Sequence, residues 1–423
     1  MNQKTLIGLA VAAVIAIIIA VVLNQRAQPR SEGSSEQTTY FAPELRDHVN
    51  DVSKVIVTAA DNKTVATLDR GSNGWTLAEK GGYAVDTGKL RELLLKLADA
   101  KLIEQKTANK EKYATLGVDD VAAKDAKGLQ LELDGLKAPL KLIVGISNAH
   151  GGGSFVRRAG DAQSWLASTA LTVPKDAADW LKKDLADVAA NRIAAVTITH
   201  PDGKTLRVYK DAAADANYKI ADIPKGREAG SEFSSNGLAS TLSALRFDDV
   251  LPAKDAAPDD KALKARYTTF DGLVIDTTAW EKDGKSYAQF KAALDAAAAD
   301  KGITAAQAKA KSDFETASAA ADAGKTDASK DAANDAPIKP LAVSDPAKDR
   351  EMRLAAANKE VADLAAHFDG WTYVLPAYKY ANINKSMDDL LKPLDEKKPA
   401  DAAAKKNPKA ATAPAKSAPP RAG

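Results

Sequence analysis

Two segments of the chain show the same pattern of apolar and β-branched residues. Residues 52–58 and 193–199 are both rich in Val, Ile and Thr, as expected for strands. An Asp-x-Lys-Thr turn follows each of them, and the offset between the copies is 141 residues throughout (52 to 193). Asn62 and Gly203 occupy the turn position at which a tight hairpin needs a positive φ. The pattern therefore predicts two related β-hairpins.

A further strand and a helix follow each hairpin. The additional strands are expected at residues 75–77 and 218–220, where apolar and polar residues alternate. Both copies then have leucines at helical spacing, which predicts an amphipathic helix with one apolar face. These leucines are Leu90, Leu93, Leu94 and Leu97 in the first copy, and Leu238, Leu242 and Leu245 in the second. We therefore expect an α+β fold of repeated β-hairpin, strand and helix units with mainly antiparallel sheets.

The same patterns predict how the chain is divided. A first repeat domain is expected over residues 43–185, a second unit over 186–262, and a third, interrupted unit over 263–292 and 367–392. Further strands at 129–133, 140–146, 155–157 and from Trp165 onward are expected to extend the first sheet.

The interruption at residues 293–366 is rich in Ala, Asp and Lys. Alanine favours helix, but the scarcity of Leu and Ile leaves little surface to bury. A helical excursion on the surface and a partly disordered segment both fit this composition.

The N-terminus, residues 1–23, predicts a membrane anchor. Leu6–Leu23 is an uninterrupted apolar run of 18 residues, and a helix of this length spans about 27 Å, close to the thickness of a bilayer core. A cleaved signal peptide is the alternative, but the run exceeds the usual apolar region of about 7–15 residues and no A-x-A-like site follows. A polar linker is expected over residues 24–42. We expect a single-pass protein of the bacterial inner membrane with its bulk in the periplasm.

The C-terminal residues 393–423 consist mainly of Lys, Ala and Pro. This composition predicts a disordered basic tail. Such a tail could lie on an anionic membrane surface or polymer, or it could be a solvated extension.

Overall composition excludes several classes of site. The chain has 423 residues with 59 Lys and Arg against 57 Asp and Glu, and this balance gives no argument for a nucleic-acid partner. The absence of cysteine excludes disulfides, thiolate zinc sites and cysteine nucleophiles. With four histidines and no ligand spacing among them, we expect no metal site and no cofactor.

One segment resembles the catalytic loops of hydrolases. Residues 145–153 read GISNAHGGG, which combines part of a G-x-S-x-G elbow with an HGGG loop. Ala149 replaces the last glycine of the elbow, and a hydrolase needs the two motifs on different loops so that backbone N–H groups reach the serine from another direction. A glycine-rich hairpin between two strands is the better interpretation.

Other candidate residues also have structural explanations. The carboxylate pairs are adjacent in sequence, so in a strand their side chains point to opposite faces. The four tryptophans considered as ligand platforms are better explained as core residues. The pairs are Asp119-Asp120, Asp248-Asp249 and Asp259-Asp260, and the tryptophans are Trp75, Trp165, Trp180 and Trp371. We therefore predict no catalytic residue and expect that the protein is not an enzyme.

Several short motifs resemble bacterial proteins that carry DUF4340, a domain of unknown function. The resemblance runs through most of residues 40–392. Its most specific pieces are, in chain order, Trp75-Thr-Leu77, Tyr83-Ala-Val-Asp86, Tyr113–Val118, Leu140–Gly145, Phe155-Val-Arg157, Phe270–Leu273 and Gly370–Tyr378. The resemblance implies an N-terminal membrane helix and an accessory role beside gliding-motility-type ABC transport systems. It implies no catalytic residues. The Ala-rich stretch 293–345 and the basic tail depart from the family pattern.

Three functional hypotheses remain open from the sequence. The first is a membrane-anchored accessory or scaffold protein whose partners are the permease or ATPase subunits of an ABC transporter. The second is a module that binds an envelope ligand such as a glycan or lipid. The third is an enzyme, which would require carboxylates brought together by folding.

Overall fold

A computed structural model describes residues 39–149, 151–323 and 338–393. The predicted anchor, most of the predicted linker and all but the first residue of the predicted tail lie outside these ranges. Within them, no helix is both long enough and apolar enough to cross a bilayer. The described structure is mixed α/β with antiparallel sheets, as the repeats predict.

The first sheet has nine strands, and every neighbouring pair is antiparallel. The spatial order is β4-β3-β2-β1-β6-β7-β8-β9-β5. The strands are β1 Lys54–Ala59, β2 Lys63–Gly71, β3 Gly74–Leu77, β4 Tyr83–Ala84, β5 Leu102–Gln105, β6 Leu129–Asp134, β7 Leu140–Ser147, β8 Ser154–Arg158 and β9 Ser164–Ala167, with helices α1 Thr87–Asp99 and α2 Tyr113–Leu116.

The second sheet has eight strands in the order β13-β12-β11-β16-β17-β18-β19-β15, and a separate pair joins β10 to β14. The strands are β10 Asp184–Ala186, β11 Ile193–Thr199, β12 Thr205–Tyr209, β13 Lys219–Ile220, β14 Leu245–Arg246, β15 Asp249–Pro252, β16 Leu263–Thr269, β17 Leu273–Lys282, β18 Lys285–Leu294 and β19 Trp371–Leu375. The helix of this repeat is α3 Glu232–Ala239.

The residues assigned to the second and third units contribute to one sheet. Strand β16 pairs with β11, where Tyr267 lies opposite Val196. In the first sheet β6 pairs with β1 in the same way, and Leu133 lies opposite Val55. The two sheets therefore share one strand order, except that β4 has no counterpart in the second.

The repeat extends beyond the hairpins to the beginning and end of each sheet. Before each sheet, a short lead-in segment pairs with the residues that follow the helix: Leu102 donates to the carbonyl of Thr39 (2.8 Å), and Phe247 donates to that of Lys183 (3.3 Å). The first described residues therefore already belong to the fold, ahead of Pro43.

Each repeat also closes in the same way. In the first, the Asp86 amide donates to the Trp180 carbonyl (2.8 Å). In the second, the Gly230 amide donates to the Leu390 carbonyl (2.8 Å). A short 3-10 helix precedes each closing segment. The described residues thus contain two copies of one fold, and the second copy lacks a counterpart of β4.

The Ala-rich excursion is an insertion in the second copy. It lies between β18 and β19, where the first copy has only the turn between β8 and β9. Its helices are α4 Ala296–Ala323, α5 Leu341–Ser344 and α6 Pro346–Phe368, and helix α7 Ala377–Ile383 follows β19. The described residues of the excursion are mainly helical, and residues 293–294 belong to strand β18.

The two hairpin turns have the expected backbone conformation, whereas the second leucine helix differs from the expectation. Asn62 (φ 54°) and Gly203 (φ 82°) have the positive φ that the hairpins predict. The second leucine helix is shorter than expected, because α3 ends at Ala239 and Leu245 lies in strand β14. Ala244, with φ 42°, turns the chain before that strand.

A single apolar core continues from one repeat to the other. At the junction the Tyr83 ring contacts Trp371 and Phe247 of the second repeat. Beside them Lys80 forms an ion pair with Asp249 at 2.6 Å. These contacts bring the β3–β4 corner of the first sheet against edge strand β15 of the second.

Candidate functional site

The inserted helix α6 forms a cleft with the second repeat, which we call the α6 cleft. It contains two adjoining cavities of about 270 and 630 Å³, both lined in part by Ala356 and Glu360 of α6. These residues are four apart, so they share one face of the helix. The cleft exists because of the insertion, since the first repeat has no corresponding helix.

Arg192 holds the helix in place from the second repeat. Its guanidinium donates two parallel hydrogen bonds to Glu360 (2.8 and 2.9 Å) and one to Asp271 (2.9 Å). The hydrogen bonds with Glu360, aided by the charge of Asp271, raise the pKa of Arg192 above its ordinary value although partial burial opposes the shift. Bidentate pairs of this kind fix orientation as well as distance.

Polar contacts also tie helices α4 and α6 together. Gln307 of α4 donates to the carboxylate of Asp349 in α6 (3.0 Å), and Arg353 donates to the same oxygen (2.8 Å). Hydrogen bonds from Arg353 and Gln307 lower the pKa of Asp349. Arg350 pairs with Asp300 at 2.8 Å. The inserted helices thus form a unit fastened to the sheet at Arg192.

The smaller cavity lies around this ion-pair centre. Its charged lining residues are Arg192, Arg353, Asp271 and Glu360. Two positive and two negative side chains balance each other, so the cavity has no charge preference for a ligand.

The larger cavity has an apolar floor and a charged rim. The floor consists of Leu185, Ala186, Ala244, Leu245, Ala356 and Leu364, and the rim of Lys182, Asp184, Asp187, Lys359, Asp363 and His367. A volume of about 630 Å³ is in the range of small-molecule binding sites, and the ionisable side chains of the rim, together with Glu360, would supply its polar contacts.

A buried lysine organises the turn beneath this floor. Lys379 of α7 donates to the carbonyls of Thr241 (2.9 Å) and Ser243 (2.7 Å). Burial lowers the pKa of Lys379, and the nearby Asp187 partly offsets this effect. Asp187 also accepts a hydrogen bond from the amide of Ala244 (2.8 Å). The turn with its positive φ is therefore fixed from two sides.

The hydrolase-like segment is a hairpin loop, as its sequence context indicates. Ser147 ends β7 and lies opposite Ser154, the first residue of β8. Gly153, at φ 81°, passes so close to β9 that a Cβ there would lie 2.1 Å from the Ala167 carbonyl oxygen. Packing therefore requires glycine at position 153. His150 lies outside the described residues.

One member of each carboxylate pair makes a structural contact, and the tryptophans lie in or against the core. Asp120 pairs with the buried Arg157, and Asp249 pairs with Lys80. Asp259 accepts from the amide of Lys261. Trp180 is fully buried, while Trp75, Trp165 and Trp371 are half-buried against the core. Across the described ranges, no three His, Asp or Glu side chains come close enough together to hold a metal ion.

Sequence reasoning did not identify Arg192, Glu360 or Lys379. Arg192 and Glu360 are 168 residues apart, and Lys379 is 138 residues from Thr241. Locally, the sequence shows only that each of these residues is charged, and charged residues make up 27% of the chain.

One family model matches part of the chain. The family model of DUF4340, a domain of unknown function, matches residues 75–265. The match begins in β3 of the first repeat and ends in β16 of the second, so it includes Lys80, Tyr83 and Asp249 of the junction but not Trp371. Neither the curated proteins nor the solved structures contain a match to the chain.

Proposed function

We propose that this protein is a membrane-anchored, non-catalytic accessory or scaffold protein of the bacterial cell envelope. In this proposal Leu6–Leu23 anchors it in the inner membrane and the repeats extend into the periplasm. The α6 cleft is the surface that contacts a partner, the permease of an ABC-type transport system whose ATPase belongs to the same complex.

The observation that carries the proposal is the way in which α6 is held. A helix inserted into one of two otherwise matching repeats is fastened by the Arg192–Glu360 pair over an apolar floor. Protein interfaces commonly have an apolar centre surrounded by a polar rim. The DUF4340 resemblance, with its implied association with ABC transport, supports the choice of partner.

Crosslinking in intact cells tests the partner. The tagged full chain is crosslinked, purified and analysed by mass spectrometry, alongside Leu364→Glu in the cleft floor and Leu95→Glu on α1. Both leucines are on helices, but Leu95 is 43% exposed whereas Leu364 is half-buried against the core. Thermal unfolding of both variants therefore checks that each retains the fold. We expect the permease to be recovered with the wild type and with Leu95→Glu, and to be lost with Leu364→Glu. Recovery of no transporter subunit with the wild type would refute the transport role.

The anchor needs a separate test. Extraction of membranes at alkaline pH should leave the full chain in the pellet, because a spanning helix is not released by removing peripheral contacts. Release into the supernatant, or a mature chain that begins after residue 23, would instead show a cleaved signal peptide.

A second candidate function is the binding of an envelope ligand, such as a glycan or lipid. The size and apolar floor of the larger cavity favour it. Native mass spectrometry of the full chain after incubation with envelope lipids and glycans would detect a bound ligand, and Leu364→Glu should abolish binding.

The basic tail is a second contact in this proposal. Removing the residues after Lys397 should weaken retention in the envelope, and unchanged retention would exclude the tail.

A further inference from the structure

We propose that copies of this chain associate head to tail, with the free β5 edge of one first repeat bound to the free corner of another copy's second repeat. The occupant of the β5 edge is thus a second copy of this chain. The inference rests on the junction inside the chain and not on the proposed function.

The internal junction provides the template. The β3–β4 corner of the first repeat, with Lys80 and Tyr83, meets the β15–β19 edge of the second. A Cβ on Gly81 would lie 2.7 Å from Pro252 Cγ, so the two surfaces are in close contact. The two repeats have the same strand order. The free β5 edge of the first repeat therefore corresponds to the bound β15 edge of the second, and the free corner of the second repeat corresponds to the bound β3–β4 corner of the first.

The outer end of the first repeat corresponds to the bound edge of the second. The Lys106 amide donates to the Ser164 carbonyl, as the Ala253 amide does to that of Gly370. Trp165, the residue after Ser164, is therefore the counterpart of the junction residue Trp371. Among the described residues, edge strand β5 pairs with β9, with a register shift between Leu102 and Glu104, and at its start with the lead-in segment.

The chemistry of this β5 edge suits a partner. Ile103 is 59% exposed although it is a large apolar residue in a strand. Glu104 is also exposed, and Trp165 is only half-buried. An unpaired edge strand with an exposed apolar side chain is a template for association with another chain.

The outer end of the second repeat corresponds to the bound corner of the first. The Lys392 amide donates to the Glu228 carbonyl (2.9 Å), as the Lys182 amide does to that of Ala84 (3.1 Å). Glu228 therefore corresponds to Ala84. Two residues earlier in each repeat, Gly226 (φ 82°) occupies the position of Gly82 (φ 84°).

Lys225 and Arg227 follow from the same correspondence. Lys225 takes the position of Gly81, next to that of the junction cation Lys80, and Arg227 takes the position of Tyr83. Arg227 donates to Asp388 (2.8 Å) and to the Lys392 carbonyl (3.1 Å), while its buried Nε has no acceptor among the described residues.

The two ends are complementary to each other. Lys225 and Arg227 would bring two positive charges to Glu104, which takes the position of Leu251 on the bound edge. Within one chain Glu104 pairs with Lys106 at 2.6 Å, so the added copy would share this carboxylate. Arg227 would approach the ring of Trp165, where Tyr83 approaches Trp371, because a guanidinium binds well to an indole face. Phe233, six residues after Arg227, is 84% exposed in the first turn of α3 and adds an apolar side chain to this end.

Association of this kind is heterologous. Different surfaces meet, so the copies form a ring if the rotation between them closes and an open chain if it does not. An isologous two-fold dimer would instead require one surface to pair with itself.

The absence of cysteine permits a direct test with the full chain in detergent or liposomes. Glu104→Cys and Lys225→Cys are made in separate, differently tagged chains and treated with a short bis-maleimide. We expect the mixture to give a heterodimer and each single variant alone to give none. A chain that carries both cysteines should give a ladder of higher species. A Lys80→Cys, Asp249→Cys chain should crosslink internally, which shows that the reagent spans the template junction.

Analytical ultracentrifugation gives an independent measurement. Ile103→Glu should weaken association by at least about tenfold, as for loss of a central apolar contact, and Leu95→Glu on the exposed face of α1 should not. Thermal unfolding of each variant checks that the fold is retained. A mixture that gives no crosslink while the internal control reacts would overturn the proposal. So would crosslinking of Glu104→Cys with itself, because that result indicates edge-to-edge pairing of identical strands.

Discussion

Tyr83 of the first repeat and Trp371 of the second meet edge to face, with ring centroids 4.9 Å apart and ring planes at 85°. This geometry is favourable for aromatic pairs. Phe247 and Tyr373 enclose the Tyr83 ring from the second repeat, at 5.4 and 6.1 Å. The repeats are therefore joined by a shared aromatic core as well as by the chain itself.

Tyr83→Ala should destabilise the whole chain. Tyr83 is buried, and truncating a large buried aromatic residue to alanine costs about 3–5 kcal/mol. Urea unfolding of the full chain measures the loss, and Tyr378→Ala, at a tyrosine that is 65% exposed, is the control with an expected change within about 0.5 kcal/mol. A loss for Tyr83→Ala no larger than that of the control would show that the junction does not stabilise the fold.

Local patterns predicted the elements of this fold better than their arrangement. The leucines of α1 are buried as their spacing predicts, because the spacing itself defines one apolar face. The merging of residues 263–292 with the second unit depends on the pairing of β16 with β11, and no local pattern specifies which apolar strand face finds which partner. The α6 cleft was unpredictable for the same reason, since Arg192 and Glu360 meet only after folding.

The position of Gly128 provides a steric test of the packing between β6 and the loop after α2. A Cβ there would lie 2.2 Å from the Gly117 carbonyl oxygen and 2.8 Å from that of Val144. Because all the clashing atoms are backbone, relief requires β6 or its neighbours to move, and we expect Gly128→Ala to cost about 1–3 kcal/mol, as for overpacking.

Gly237 provides the matched control for that substitution. It lies within α3 and a Cβ there meets nothing within 4 Å. Gly237→Ala should therefore leave stability unchanged or raise it by up to about 1 kcal/mol, through helix propensity. Equal effects of the two substitutions in thermal unfolding would contradict the close approach at Gly128.

Arg192→Ala should loosen α6 without unfolding the sheets. The substitution removes three hydrogen bonds to carboxylates, and hydrogen bonds to charged groups contribute about 1.5–3 kcal/mol each in favourable settings. Hydrogen exchange measured by mass spectrometry should show at least about tenfold faster exchange in residues 346–368, which corresponds to about 1.4 kcal/mol, with β11 and β16 unchanged.

Lys359→Ala is the control for this experiment. Lys359 pairs with Asp363 one turn along the same helix, and both side chains are exposed. Such pairs contribute about 0.3–0.5 kcal/mol, so exchange in α6 should hardly change. If Arg192→Ala behaved like Lys359→Ala, the ion-pair centre would not be what fastens the insertion.

The lowered pKa of Lys379 should make the free energy of unfolding depend on pH, and replacing the lysine should remove this dependence. Burial lowers its pKa in the folded chain below that of an unfolded lysine, so between the two values the unfolded state binds more protons. In that window stability rises with pH.

Lys379→Met retains an apolar stem but cannot titrate. It leaves the carbonyls of Thr241 and Ser243 without their donor, at a cost of about 1–3 kcal/mol. The free energy of unfolding of the wild type relative to Lys379→Met should therefore increase as pH rises toward about 10.4. Urea unfolding of both proteins across this range measures the difference, with Lys359→Met as the exposed control, and a constant difference would show that Lys379 titrates normally in the folded chain.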